Sequence, residues 1–392
     1  MQNRFNTYFT VAQKLIIQYK GEMPLAIYLK NYFGQNKKHG STDRKQIAHW
    51  CYCYYRLGNA FTNIDGVERM KIAFYLCNNE PTNYSSLYQE NWLHNWSKNI
   101  DERIQFIHET HNEFLLEDLF KTHTNIAVEL NKNEFIKSHL QQPNLFLRLR
   151  PTYEKIVKEK LKKSNVLFAE IRENCLALTN GIKIENVIEI NKEAVVQDDS
   201  SQQVASLIEV VKANLKQPFN VWDCCAASGG KSILAIDVLQ NINLAVSDIR
   251  ASIIANLKTR FAVAGIKNYQ SFVADISKSI HQNTTYNFII CDAPCTGSGT
   301  WSRTPEELFF FKEESIKKFA ILQFEIAKNS LQHLQVGGYF LYITCSVFAQ
   351  ENDEIVNVLL QQFNLELIEK KYFIGYINQA DTMFAALLKK NN

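Results

Sequence analysis

Through the first third of the chain, apolar positions recur at helical spacing. Ile47, Trp50, Cys51 and Tyr54 follow Ser41 and Asp43, which suit a helix start, and precede Gly58, which suits its end. This predicts an all-α region over residues 1–140 with those four side chains on its core face. The texture then changes. Leu145–Leu149 alternates like a strand, residues 153–163 read as a basic helix, and residues 176–190 read as short strands around Asn180-Gly181, so a small α+β module is expected over 141–200. From 201 to 392 short apolar runs alternate with helix-length segments. Runs at 219–223, 244–248, 270–274, 287–292 and 339–344 predict a doubly wound, mostly parallel sheet, with 365–368 and 383–388 adding strands at one edge.

The chemistry lies where those strands end. The run 288–291 stops at Asp292 and empties into Pro-Cys-Thr-Gly-Ser-Gly, and the run 339–344 empties into Cys345-Ser346. On neighbouring parallel strands, about 4.8 Å apart, Cys295 and Cys345 would open into one cleft. Cys224 and Cys291, within or at the end of apolar strands, read as core. The strand at 219–223 runs into Cys225, Ala226, Ala227, Ser228, Gly229 and Gly230 before Lys231. Small residues there let the backbone approach a ligand, although the stretch is neither GxGxxG nor a P-loop. Asp248 ends the second strand, where an acid can accept hydrogen bonds from ribose hydroxyls, and Asp275 follows the third, where it could meet an adenine amino group. Acids at successive strand ends beside a Gly-Gly turn, without a phosphate cradle, point to S-adenosylmethionine as cofactor.

Composition adds limits. A chain of 392 residues with 46% apolar content is globular and too long for one core, which suits two or three domains. Lys plus Arg number 43 against 40 Asp plus Glu, so only local clusters can name a partner. Lys30, Lys37, Lys38, Arg44, Lys45 and Arg56 face the single acid Asp43, either to hold phosphates or as a solvated helical face. Arg148, Arg150, Lys155, Lys158, Lys160, Lys162 and Lys163 face only Glu154 and Glu159; this most positive segment reads as an attractor of a phosphate backbone or, on the bland alternative, as a soluble helix surface. Nine cysteines with no CxxC pair fit a reducing compartment and predict no metal site, with Cys51 and Cys53 as core. Neither a signal peptide nor a membrane-spanning run is present, so a cytoplasmic protein without a membrane partner is expected.

Four segments in order, VQDDSSQ (196–202), CAASGGK (225–231), DAPCTGSGTWSRTPE (292–306) and TCSVFAQEN (344–352), resemble the motifs of the RsmB/Nop/Sun family of RNA cytosine-5 methyltransferases. The resemblance covers about 145–392, and the helical N-terminus is similar to the NusB-like domain of the ribosomal members. It implies a Rossmann-like class I methyltransferase domain over 201–392, RNA-binding regions over 1–140 and 141–200, and S-adenosylmethionine held by residues 225–231, Asp248, Asp275 and Asp292. It places the family's nucleophile on Cys345 and its releasing cysteine on Cys295. Asp292 would hydrogen-bond the cytosine, and Lys231 would approach cofactor and target. The implied reaction is methylation of a cytosine at carbon 5 in 16S rRNA, on rRNA or a subunit assembly intermediate, by a monomer. A tRNA methyltransferase, a non-catalytic ribosome assembly factor and an amino-group methyltransferase, which needs no thiol, are the alternatives. The chain departs from the family in having Ser228 for the usual Pro, Ser302-Arg303 for an Arg pair and Arg150 for an Asn. Trp301 and Arg303 either contact RNA or pack their loop.

Overall fold

The helical spacing of the first third is realised as helices Gln2–Gln18, Leu25–Gln35, Ser41–Arg56, Gly66–Cys77 and Ile100–Thr110. The computed structural model describes residues 2–280 and 284–392, which divide into two units. The first takes in the chain up to Ile126, Asn131–Gln142 and, from far along the sequence, Thr300–Lys312. Its core is aromatic: Trp50 stacks on Phe74 at 4.2 Å between ring centroids, with Phe9 and Tyr84 edge-on. Asp43 closes the start of Ser41–Arg56 by accepting the Gly40 amide at 2.8 Å. Ile47, Trp50, Cys51 and Cys53 are buried as expected, and Tyr55 lies deeper than Tyr54.

Residues 300–312 join this unit through aromatic contacts and one buried acid. Phe310 packs edge-on against Tyr19, Phe309 against Tyr55, and Glu306 accepts the Leu25 amide at 2.9 Å. Trp301 is 1% exposed and packs between Phe120 and Phe311, so its role is packing rather than RNA stacking.

In the second unit, β1 (Leu145–Leu149), β2 (Ala169–Arg172), β3 (Cys175–Leu178) and β4 (Ala194–Val196) form an antiparallel sheet in the order β2-β3-β1-β4. The basic helix Glu154–Lys163 lays Val157 and Leu161 on it. The larger sheet contains β5 (Phe219–Asp223), β6 (Ile242–Asp248), β7 (Tyr269–Val273), β8 (Tyr286–Asp292), β9 (Leu334–Thr344), β10 (Leu365–Phe373) and β11 (Met383–Lys390). Its order is β10-β11-β9-β8-β5-β6-β7, parallel from β9 to β7, with β11 antiparallel to β9 and β10 antiparallel to β11 at one edge. Side chains alternate across it: Phe288 and Ile290 enter one apolar layer, Ile289 and Cys291 the other. Burial on both faces is why these strands read as continuous apolar runs.

Three of the basic side chains expected to attract phosphate are consumed by the fold. Arg148 and Arg150 both grip Asp237, at 2.5 and 2.8 Å, with all three side chains 12% exposed or less. Arg148 also donates to Gln197, and Arg150 to the carbonyls of Asn191 and Ala264. Arg56 is buried, donating to the carbonyls of His139 and Gln141 and to Gln142. Lys158 and Lys160 pair with Glu170 and Glu193. Lys30, Lys37, Lys38, Lys45, Lys155, Lys162 and Lys163 remain exposed. Among the described residues no helix is long and apolar enough to cross a membrane.

Candidate active site

Parallel pairing of β8 with β9, in a register that sets Asp292 opposite Ile343, brings the two strand ends together. The Sγ atoms of Cys295 and Cys345 lie 3.2 Å apart, both half-buried. The Cys345 sulfur alongside, then burial, then the Glu351 carboxylate push the Cys295 thiol well above its ordinary value.

Both cysteine loops are held by one buried acid. Glu351 accepts the Thr296 amide and Gln323 Nε2 on one oxygen, each at 2.9 Å, and the hydroxyls of Thr296 and Ser346 on the other, each at 2.5 Å. Thr296 follows Cys295 and Ser346 follows Cys345, so a single carboxylate ties the two thiol-bearing turns together. Burial raises the Glu351 pKa, and these donors oppose that rise. Ser298 links the same turns, accepting the Val347 amide at 2.9 Å, while the Gly299 amide donates to the Cys345 carbonyl. TCSVFAQEN contains Glu351, but nothing in its spacing announces a clamp reaching back to Thr296.

Lys231 comes from the helix Gly230–Leu239 after β5. Its Nζ donates to Asp292 at 3.1 Å and to Ser201 at 2.8 Å, so the VQDDSSQ segment meets the strand ends through Ser201. Lys231 is 7% exposed, whereas the Asp292 side chain is 31% exposed. Asp223 is fully buried: burial pushes its carboxyl up to about 8, while Ser232 donates to one oxygen at 2.6 Å and opposes that rise.

The turn 225–231 has the shape a close-approaching ligand needs. Ala227 (φ +45°) and Gly229 (φ +82°) take left-handed backbone, and Ala227 and Ser228 are open to solvent. Asp248, at the end of β6, reaches back to the Ala227 amide at 3.2 Å and also accepts the Arg250 amide. Ser228 accepts Arg260 Nη1 at 2.8 Å, so the serine in place of proline anchors the turn by a hydrogen bond. Asp275 is engaged by Ser277 and Lys278, and these partners hold its carboxyl low. Open backbone at 227–228, an acid at the next strand end and a second beyond it fit an adenosyl ligand. A Cβ on Gly229 would lie 2.5 Å from the buried Phe261 ring. Gly229→Ala is therefore expected to cost about 2–3 kcal/mol of stability from backbone strain and overpacking, and to weaken S-adenosylhomocysteine binding. Urea unfolding and calorimetric titration check both.

A doubly wound sheet with a small-residue turn after its first strand and an acid ending the second is that of a class I methyltransferase domain, whose cofactor is S-adenosylmethionine. Residues 210–388 match the family model described as 16S rRNA methyltransferase RsmB/F, which supports the resemblance to the RsmB/Nop/Sun family over that part of the chain. It is 28% identical over 175 residues to a probable ribosomal RNA small subunit methyltransferase B of Bacillus subtilis (strain 168), covering 44% of this chain and 38% of the relative. To the ribosomal RNA small subunit methyltransferase B of Shewanella oneidensis it is 29% identical over 210 residues, covering 50% and 48%. The matches thus span half or less of those relatives. Among solved structures, PH0851 superposes with a TM-score of 0.72 at 17% identity over 100% of this chain and 99% of that one. NSun6 from Pyrococcus horikoshii superposes at 0.59 and 15% identity over 69% and 97%. At such identities the likeness concerns the fold.

Proposed function

We propose that the protein methylates carbon 5 of a cytosine in RNA, most specifically in 16S rRNA, through a covalent adduct with Cys345. The contact of the Cys295 and Cys345 thiols beside the Lys231–Asp292 pair is the observation that carries this reading. The names of the relatives support ribosomal RNA as the substrate, and the monomer acts on rRNA or an assembling subunit.

Carbon 5 of cytosine is too weak a nucleophile to take a methyl group unaided. The Cys345 thiolate adds to carbon 6, and the ring becomes an enamine nucleophilic at carbon 5. S-adenosylmethionine, when bound by residues 225–231 with Asp248 and Asp275, supplies an electrophilic methyl group. Asp292 hydrogen-bonds the cytosine at N3 or its amino group and supports the charge that shifts there as the thiolate adds. Lys231 holds the Asp292 carboxyl group in place. After methylation the carbon 5 proton leaves to a base and the Cys345–carbon 6 bond breaks, returning the thiolate; Cys295 assists this release. The target base enters unstacked, because carbon 6 is attacked from above the ring.

Cys295→Ala, incubated with the cofactor and total RNA from a strain lacking the gene, is expected to accumulate a denaturation-resistant protein–RNA adduct. Sequencing the trapped RNA identifies the substrate and the cytosine together, and separates rRNA from tRNA. Methyl transfer by wild type with no adduct from the variant would favour a nitrogen-methylating enzyme instead. Cofactor binding with neither adduct nor transfer would favour an assembly factor.

A further inference from the structure

Where β5 runs into the turn at 225–231 lies a thiol cluster whose sulfur atoms take no part in the methyl-transfer steps. The Sγ atoms of Cys224, Cys225 and Cys291 all lie within 4.8 Å of one another. The register of β5 against β8 produces it. Asp223 pairs with Ile290 and the Cys224 amide donates to the Ile290 carbonyl at 2.9 Å, so Cys224 lies beside Cys291. Cys224 and Cys291 are buried in the apolar layer with Trp222, Ile289, Ile326 and Tyr342, and the half-buried Cys225 closes the cluster at the turn.

We propose that Cys224, Cys225 and Cys291 form a three-sulfur site for a thiophilic, three-coordinate centre, trivalent arsenic taken up as arsenous acid. Three soft donors without a carboxylate or imidazole select a thiophilic element. Zinc on these three thiolates would need a water as fourth ligand and would carry net negative charge. Monovalent copper held by three thiolates would leave net negative charge in an apolar layer, which is costly to bury. Arsenous acid is uncharged and so is its product. Three As–S bonds form, three As–OH bonds break, each hydroxyl leaves as water with one thiol proton, and arsenic stays trivalent, so no oxidant or reductant is required. Trivalent arsenic is pyramidal, and bonds of about 2.3 Å, the length of a typical metal–thiolate bond, then need sulfurs about 3.4 Å apart, so the cluster closes by at most about 1.4 Å. Ser330 Oγ lies 3.4 Å from the Cys224 sulfur. The site does not depend on the methyl-transfer reading.

The test uses full-length, reduced protein carrying Cys295→Ala, Cys345→Ala and Cys77→Ala, which removes the Cys295–Cys345 and Cys53–Cys77 thiol pairs, and sodium arsenite as probe. One arsenic per chain is expected, with a mass gain of one arsenic less three hydrogens, three sulfurs and no oxygen by X-ray absorption, and a raised melting midpoint. In the same background, Cys291→Val, an apolar replacement in an apolar layer, and Cys224→Ser are each expected to melt cooperatively without that midpoint shift. If the parent stays arsenic-free while melting cooperatively, the proposal fails. It fails too if three-sulfur arsenic survives Cys291→Val, or if equimolar zinc displaces the arsenic.

Discussion

Cys345→Ala is expected to lower methyl transfer to RNA by about a thousandfold or more, because the reaction loses its covalent step and not a contact. The neighbouring thiol offers no substitute. Cys295 is 3.2 Å away, but its pKa is pushed well above the ordinary thiol range, so at neutral pH it is protonated and a poor nucleophile. Removing Cys345 also removes the first cause of that shift, while burial and the Glu351 charge remain. Cofactor binding should be nearly unchanged, since the turn at 225–231 and Asp248 make no hydrogen bond to the Cys345 side chain. Calorimetric titration with S-adenosylhomocysteine and transfer of labelled methyl to RNA separate the two effects. Residual transfer within tenfold of wild type would show that Cys345 is not the nucleophile.

What the sequence discloses and what it hides divide along a physical line. Strands buried on both faces must be apolar throughout, and a parallel sheet must present its strand ends as polar turns. The ends of β5, β6, β8 and β9, and with them Lys231, Asp248, Asp292, Cys295 and Cys345, were therefore legible from local texture. Partnerships between distant residues were not. Nothing near Arg148 or Arg150 reveals Asp237, so a charge count took two buried guanidiniums for a phosphate-binding surface. Trp301, in a loop rich in Gly, Ser and Thr, gave no sign that residues 300–312 pack into the helical unit. Glu351 could be read as part of a motif, whereas its hold on both cysteine turns exists only once β8 and β9 are adjacent. The Cys224–Cys225–Cys291 cluster was hidden likewise, because CxxC spacing finds only metal ligands that are near in sequence.

Asp237→Ala is expected to destabilise the α/β unit by about 3–5 kcal/mol, the cost of removing one partner from a buried ionic group. The helix Gly230–Leu239 carries this aspartate, which is the shared counter-charge of Arg148 on β1 and of Arg150 just beyond it. Without it two guanidiniums, 7% and 12% exposed, keep their positive charge and only neutral acceptors: Gln197 for one, the Asn191 and Ala264 carbonyls for the other. Asp237→Asn keeps an acceptor oxygen but not the charge, so it should fall between wild type and alanine. The small antiparallel sheet is tied through this triad to the helix that begins at the cofactor turn, so the damage should extend to S-adenosylhomocysteine binding. Adding Arg148→Met to Asp237→Ala should recover part of the loss, because it removes one of the two stranded charges and fills its volume with an apolar side chain. Urea unfolding of the four proteins measures the series. A loss below about 1 kcal/mol for Asp237→Ala, typical of an exposed pair, would mean that the triad is solvated and that Arg148 and Arg150 are available to bind phosphate after all.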